Sequence, residues 1–154
     1  MGNKTLIYKT KVTDNINESL KHLQRLNNAF DELKKQYTLP INTKSYKSII
    51  NSTQDLAYSD QIIYRFSKLQ DIMGAKLFKA LLLYQGENID RPFLDILNSL
   101  EKMNIIDVEE WFEIRDLRND IAHDNEYMAI EIINNIYELK QELEKIIYNI
   151  QDIL

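Results

Sequence analysis

The first part of the chain carries the pattern of an amphipathic helix. Apolar side chains recur at steps of three and four residues from Ile16 to Tyr37. This is the helical period, and it covers about six turns at about 3.6 residues per turn. Asn15 with Glu18 resembles a capping box and predicts the start of the helix. Pro40 predicts its end, because the residue before a proline avoids the helical region.

A second, longer helical pattern follows, with Ser59 as its predicted N-cap. Its apolar positions cover a broad arc, which is typical of a helix packed on more than one side. They are Ile62, Ile63, Phe66, Leu69, Met73, Leu77, Leu81 and Tyr84. Gly74 lies inside this pattern, where it costs about 1 kcal/mol relative to alanine. We therefore expect another helix to cross close to Gly74.

The C-terminal half predicts three more helices. One follows the loop expected at residues 86–90, and a second begins where Asp107 and Glu110 form a capping pattern. The last is expected to begin near Asp124 or Asn125 and to run almost to the C-terminus. A final helix of this length would extend beyond its own core, where a second subunit or a partner could cover it.

The chain has the size and composition of one helical domain. It has 154 residues with only 3 glycines and 2 prolines, so tight turns are few and the elements are long. We predict a single all-α domain over residues 1–154, an antiparallel bundle of four to five helices. Residues 1–13 alternate only loosely between apolar and polar, and we expect them to be extended or flexible.

Charge and composition exclude several function classes. The net charge of −5 argues against wrapping nucleic acid through bulk charge, although it permits a small basic site. The absence of cysteine excludes disulfides and thiol catalysis. We find no phosphate-binding glycine loop, zincin spacing or serine elbow. No segment has the pattern of a signal peptide or a membrane span, so we expect a cytoplasmic protein without membrane contact.

Arg118 occupies a position where the helical pattern asks for an apolar residue. Trp111, Ile114 and Ile121 lie seven before, four before and three after it, on the same helical stripe. A charge on such a stripe must find a partner, reach an interface, or extend its head group into solvent. Two interpretations remain open: a salt bridge that joins two helices, and a group that acts on a ligand.

His123 follows Arg118 by five residues, which is about 140° around a helix. The two side chains would share a cleft if the helix ended near Ala122 and His123 turned back, or if two copies of the segment met across a dimer. The simpler interpretation of His123 is a helix cap or a satisfied polar residue. Asp124 and Asn125 are similarly interpreted as N-caps.

The chemistry that such a pair supports is RNA cleavage. A ribose 2′-hydroxyl attacks the adjacent phosphorus while a histidine takes or gives the proton. An arginine such as Arg118 can hold the phosphate through forked hydrogen bonds. Asn119 could contact phosphate, and Asp120 could orient His123 or Arg118. No metal or cofactor is required.

Residues 118–123, Arg-Asn-Asp-Ile-Ala-His, resemble the signature of the HEPN superfamily, in which an Arg is followed after four to six residues by a His. The resemblance implies a helical bundle that dimerises with its two motifs facing each other. It also implies a metal-independent endoribonuclease that acts as a toxin, with a minimal nucleotidyltransferase as its antitoxin. By this resemblance Arg118 and His123 are catalytic, and Asn119 and Asp120 support them.

The sequence departs from the toxin branch at one position. That branch usually has a tyrosine two residues after the histidine, where the partner can modify it with nucleotide. Here Asn125 occupies that position, and the nearest tyrosine is Tyr127. Tyr127 is either a substitute modification site or a packing residue at the start of the last helix.

Three hypotheses follow from the sequence. The first is a toxin-like endoribonuclease that cleaves RNA at a homodimer cleft. The second is a non-catalytic partner or substrate-binding subunit of a minimal nucleotidyltransferase. The third is a structural bundle with Arg118 in a buried ion pair. Other polar residues have two interpretations each: Arg65, Lys68 and Lys76 line the cleft or form a solvated face, and Tyr46, Tyr58 and Tyr84 stack bases or pack the bundle.

Overall fold

Helices form nearly all of the described chain. A computed structural model of the protein describes residues 2–123 and 129–154, and all regular structure in them is helical. The elements are α1 (Gly2–Lys34), α2 (Thr43–Ile50), α3 (Thr53–Ile72), a π-helical turn (Met73–Leu77), α4 (Phe78–Tyr84), α5 (Phe93–Lys102), α6 (Val108–Ala122) and α7 (Ala129–Asp152). The prediction of an all-helical fold is confirmed. Among these helices, none combines the length and apolar character needed to cross a bilayer.

Three pairs of long helices run antiparallel, α1 with α3, α3 with α6 and α1 with α7, so α3 and α7, which also pack together, run parallel. Helix α3 continues through the π turn into α4 without a break, so four long rods are formed by α1, α3–α4, α6 and α7. Contacts between distant residues establish their directions. Helix α1 and the residues that follow it contact α3 through His22–Arg65 and Tyr37–Asp55. Helix α3 and the π turn contact α6 through Asp71–Arg118 and Gly74–Trp111. Helix α1 contacts α7 through Asn27–Lys140 and Phe30–Tyr137.

The core forms where the apolar faces of these rods meet. Its largest fully buried side chains are Trp111, Phe30, Phe66 and Phe78. Phe78 meets Trp111 edge-on, with ring centroids 4.7 Å apart. A Cβ atom at Gly74 would lie 3.1 Å from Cζ2 of Trp111, so Gly74 leaves room for the indole ring of α6. The prediction that another helix packs against Gly74 is confirmed, and the contact is made by a large side chain.

The N-terminal helix begins earlier than expected. Helix α1 already includes Gly2, so the expectation of an extended or flexible segment is wrong for residues 2–13. Asn15 is not a cap, because it lies inside the helix and its carbonyl accepts a hydrogen bond from Ser19 Oγ at 2.7 Å. Val12 is fully buried, and its packing extends the helix toward the N-terminus. Adding residues to an existing helix is far easier than nucleating one.

The other helix starts agree only in part with the predictions. Ser52, not Ser59, caps α3, and its side chain accepts from the backbone N–H of Asp55 at 3.2 Å. Ser59 is instead buried within α3. The cap predicted at Asp107 is confirmed, since its carboxylate accepts from the N–H of Glu110 at 3.1 Å. The predicted start of the last helix falls on residues 124–128, which are outside the described residues.

Candidate functional site

Arg118 joins α6 to α3 through a forked ion pair. Its Nε and Nη2 donate to the two carboxylate oxygens of Asp71 at 3.1 and 3.2 Å. The side chain of Arg118 is 28% exposed and that of Asp71 is 46% exposed. The salt-bridge interpretation is therefore confirmed, but the pair lies at the surface of the bundle rather than in its core. The third hypothesis, a buried ion pair, is wrong on this point.

Beside this pair, an open groove separates α3 from the C-terminal part of α6. Its volume is about 480 Å³. It is lined by Asp60, Ile63, Tyr64, Ser67, Lys68, Asp71, Arg118, Ile121 and Ala122. A guanidinium group has five N–H donors, and the pair with Asp71 uses two of its nitrogens. The remaining donors of Arg118 can therefore bind an anion that enters this groove, which we call the Arg118 groove.

Helix α6 ends at Ala122, and His123 is its C-cap. The backbone of His123 has φ −88° and ψ −1°, and its N–H donates to the carbonyl of Asp120 at 3.2 Å. The side chain of His123 is exposed. The helix end expected near Ala122 is therefore confirmed, but His123 is not among the described residues that line the Arg118 groove.

The two supporting residues lie away from the Arg118 groove. Asn119 and Asp120 are both exposed on α6. Asp120 lines a different groove, between α6 and α7, together with the carboxylates Glu113 and Asp116. Tyr127, the possible modification site, lies outside the described residues.

The structure places an exposed tyrosine in the Arg118 groove that the sequence interpretation had missed. Tyr64 on α3 is 49% exposed. The guanidinium carbon of Arg65 lies 5.0 Å from its ring centroid, and Nζ of Lys68 lies 5.8 Å from it. Tyr64, Lys68 and Asp71 are spaced by four and three residues, so they share one face of α3. That spacing was the available signal. By contrast, Tyr46, Tyr58 and Tyr84 pack against the core.

A second groove lies on the other side of Tyr64, between α1 and α3. It has a volume of about 420 Å³ and is lined by Glu18, His22, Tyr64, Lys68, Asp71, Ile72, Ala75 and Lys76. Lys68 thus lines the Arg118 groove, as one of the two interpretations expected, whereas Lys76 lines only this second groove and Arg65 is not among the lining residues of either. Tyr64, Lys68 and Asp71 border both grooves. We call the second one the His22 groove.

His22 holds Arg65 in place at the edge of the His22 groove. Nη1 of Arg65 lies 2.9 Å from Nδ1 of His22. Because arginine has no acceptor, Nδ1 must accept this hydrogen bond. Burial, and then the positive charge of Arg65, lower the pKa of His22 below its ordinary value of 6.5. The imidazole is therefore neutral at neutral pH and suited to accept, which makes it a positioning group.

Comparisons with known proteins do not test the resemblance of residues 118–123 to the HEPN superfamily. No protein-family model, curated protein or solved structure showed a significant match to this chain. The likeness to the HEPN superfamily therefore depends on residues 118–123 alone.

A second titratable cluster lies two helical turns before the candidate site. The carboxyl groups of Glu110 on α6 and Glu142 on α7 share a hydrogen bond. That bond, burial and the negative charge of Glu142 raise the pKa of Glu110 from 4.5 to about 7. Asp107 raises it further and Lys145 opposes the shift. The pair joins α6 to α7 and borders neither of the grooves beside Tyr64.

Proposed function

We propose that the protein is a toxin-like, metal-independent endoribonuclease of the HEPN type, in which Arg118 and His123 act on RNA at a dimer cleft. The observation that carries this proposal is the exposure of both groups on one helix. Arg118 lines an open groove with donors to spare, and the His123 side chain is exposed at the end of α6. An RNA phosphate can therefore reach each of them without any unfolding of the bundle.

The reaction needs a base, an acid and a cation. The base removes the proton of a ribose 2′-hydroxyl, whose oxygen then bonds to the adjacent phosphorus. The bond from phosphorus to the 5′ oxygen breaks, and that oxygen takes a proton from the acid. The products are a 2′,3′-cyclic phosphate and a free 5′-hydroxyl. Arg118 would stabilise the charge on the phosphorus oxygens, and His123 would move a proton.

A second copy of the chain would complete this site. The chain has two histidines, and His22 is buried and engaged with Arg65. One chain therefore offers a single exposed imidazole, whereas the reaction moves two protons. Two copies that meet through the C-terminal parts of α6 would supply two His123 side chains and would place each near the other's Arg118. A two-fold axis achieves this with one self-complementary surface.

The first test compares the wild type with His123→Ala in cells and with purified protein. We expect that only the wild type stops growth and degrades RNA, that its products end in a cyclic phosphate, and that a chelator does not inhibit it. His123 caps α6 through its backbone, so alanine should preserve the fold. Arg115→Ala is the matched control, since Arg115 is an exposed arginine on the same helix. Equal RNA cleavage by wild type and His123→Ala would reject the proposal.

A second candidate function is that of a non-catalytic partner or substrate-binding subunit of a minimal nucleotidyltransferase. In the first proposal, that nucleotidyltransferase would be the cognate antitoxin of this protein. The observation in its favour is that Arg118 is already paired with Asp71, in a groove whose described lining does not include His123. This candidate predicts a stable complex on co-expression with a nucleotidyltransferase. It also predicts that the free chain leaves RNA intact, which separates it from the first proposal.

A further inference from the structure

We propose that Tyr64 is a stacking platform for an unstacked base of single-stranded RNA, and that the adjoining phosphates lie along Lys68 and Arg118. This inference rests on the proposed function and names the form of RNA that the site takes. It starts from the position of Tyr64, whose ring is half exposed at the border between the Arg118 groove and the His22 groove. The two grooves meet along Tyr64, Lys68 and Asp71, and Tyr64 is the aromatic ring at that border.

Two cations lie over the Tyr64 ring and differ in how firmly they are held. The guanidinium carbon of Arg65 is 5.0 Å from the ring centroid, and Arg65 is itself bound to His22 at 2.9 Å, so its position is fixed by the bundle. Lys68 is an exposed side chain one turn further along α3, with its amine 5.8 Å from the centroid. Its amine can leave the ring and move to a phosphate when a base arrives.

The energies favour a base over the amine. A base stacked on an aromatic side chain contributes more than a cation–π contact at an exposed site. Replacing the amine of Lys68 by a base is therefore favourable, and the displaced amine gains a phosphate partner. The Arg118 groove also contains a hydrogen-bonding atom that lacks a partner among the described residues, the buried Oγ of Ser67.

The charge around the two grooves suits recognition through stacking more than through charge. Three basic side chains line them (Lys68, Lys76 and Arg118), and three carboxylates do so as well (Glu18, Asp60 and Asp71). The face is balanced within a chain of net charge −5. Such a surface neutralises few phosphates, so the affinity should depend only weakly on salt. Double-stranded RNA, whose bases are already stacked on one another, should bind poorly.

The test measures binding in the His123→Ala background, so that the result does not depend on cleavage. The probe is a fluorescein-labelled single-stranded oligoadenylate, followed by fluorescence anisotropy. Adding Tyr64→Ala should weaken its binding roughly 5- to 150-fold, the loss expected for one stacked base. Tyr64→Phe should retain nearly all of the affinity, because the ring and not the hydroxyl makes the stack.

Two controls separate stacking from general damage. Tyr148→Ala removes a tyrosine of matched exposure, 50%, on α7, where it hydrogen-bonds to Glu144 and borders neither groove; it should not change binding. An abasic oligomer of the same length keeps the phosphates and lacks the bases, so with it Tyr64→Ala should have no effect. An equal loss with abasic RNA, or no loss beyond that of Tyr148→Ala, would overturn the proposal.

The outcomes also distinguish this inference from the proposed function. If the wild type cleaves RNA while Tyr64→Ala binds normally, the stacking platform is wrong and the nuclease stands. If single-stranded RNA binds through Tyr64 while the wild type cleaves nothing, the platform stands and the nuclease is wrong. Unfolding curves of each variant, followed by circular dichroism, verify that the bundle is intact.

Discussion

Replacing Arg118 by alanine tests whether this residue serves the fold or the chemistry. The change removes both hydrogen bonds to Asp71, at 3.1 and 3.2 Å, and the donors that face the Arg118 groove. If Arg118 serves mainly the fold, the loss appears in the free energy of unfolding. If it serves RNA cleavage, the loss appears in the rate while the fold stays stable. Because the pair of Arg118 and Asp71 is partly exposed, we expect the second outcome, in which the fold stays stable and the cleavage rate falls.

The expected cost in stability is small. Exposed ion pairs contribute about 0.2–1 kcal/mol, whereas breaking a buried pair costs about 3–5 kcal/mol. The side chains of Arg118 and Asp71 are 28% and 46% exposed, so solvent screens their attraction. We therefore expect Arg118→Ala to lose at most about 1 kcal/mol. For a protein of this size that lowers Tm by about 2–4 °C.

The expected cost in activity is large. Removing a group that stabilises charge in a transition state lowers the rate by about 10²- to 10³-fold. Asp71→Ala should cost a similar small amount of stability, and it should reduce cleavage far less because Asp71 carries the wrong charge to bind phosphate. Arg115→Ala, the exposed control on α6, should change neither property.

The assay is thermal unfolding combined with single-turnover RNA cleavage, on Arg118→Ala, Asp71→Ala and the double variant. The double-mutant cycle isolates the coupling between the two side chains, which we expect to be below about 1 kcal/mol. A loss of about 3 kcal/mol or more for Arg118→Ala, with a cleavage rate that falls only in proportion to the folded fraction, would refute the reasoning. Arg118 would then be a structural residue.

Three further predictions concern the fold. The pKa of Glu110 is about 7 in the folded protein, whereas the pKa of glutamic acid in the unfolded chain is near 4.5. The stability that the bond to Glu142 provides is therefore full below pH 4.5, and it is lost as the pH rises through 7. Urea unfolding at several pH values should show this decline in the wild type and a much flatter profile in Glu110→Gln. Gly74→Val should lower the free energy of unfolding by about 1–3 kcal/mol, because even a Cβ would lie 3.1 Å from the indole ring on α6. Asn134→Ala should cost about 1–3 kcal/mol in the same assay, since its amide bonds both the N–H and the carbonyl of Ile41, at 2.7 and 3.0 Å; a loss below about 0.5 kcal/mol would show that water replaces both bonds.

The sequence by itself determined the features that depend on residues close together in the chain. The helical period placed the apolar faces of α1, α3–α4, α6 and α7, because a side chain's direction from a helix follows directly from its spacing. Asp107 marked the start of α6, since a cap bonds to a backbone N–H only three residues away. Gly74 marked the contact with α6, because a glycine inside a helix is unfavourable unless the packing requires it.

The tertiary structure decided the features that depend on distant residues. The start of α1 was missed because packing at Val12, and not a local cap, extends the helix toward Gly2. The partner of Arg118 is Asp71, 47 residues away in the chain, and no local pattern could identify it.

For the candidate site, too, the sequence identified some of the residues and the tertiary structure decided how they are arranged. The sequence identified Arg118 and His123 as unusual residues, but only the structure shows that Arg118 lines a groove and that His123, the C-cap of α6, is not among the described residues lining it. Tyr64 is one of nine tyrosines, and its helical spacing from Lys68 and Asp71 was the signal that set it apart in the sequence. Its position between the two grooves arises because α1 and α6 pack on either side of α3 and leave its ring exposed. Exposure depends on the arrangement of all the neighbouring helices, and only the folded chain determines it.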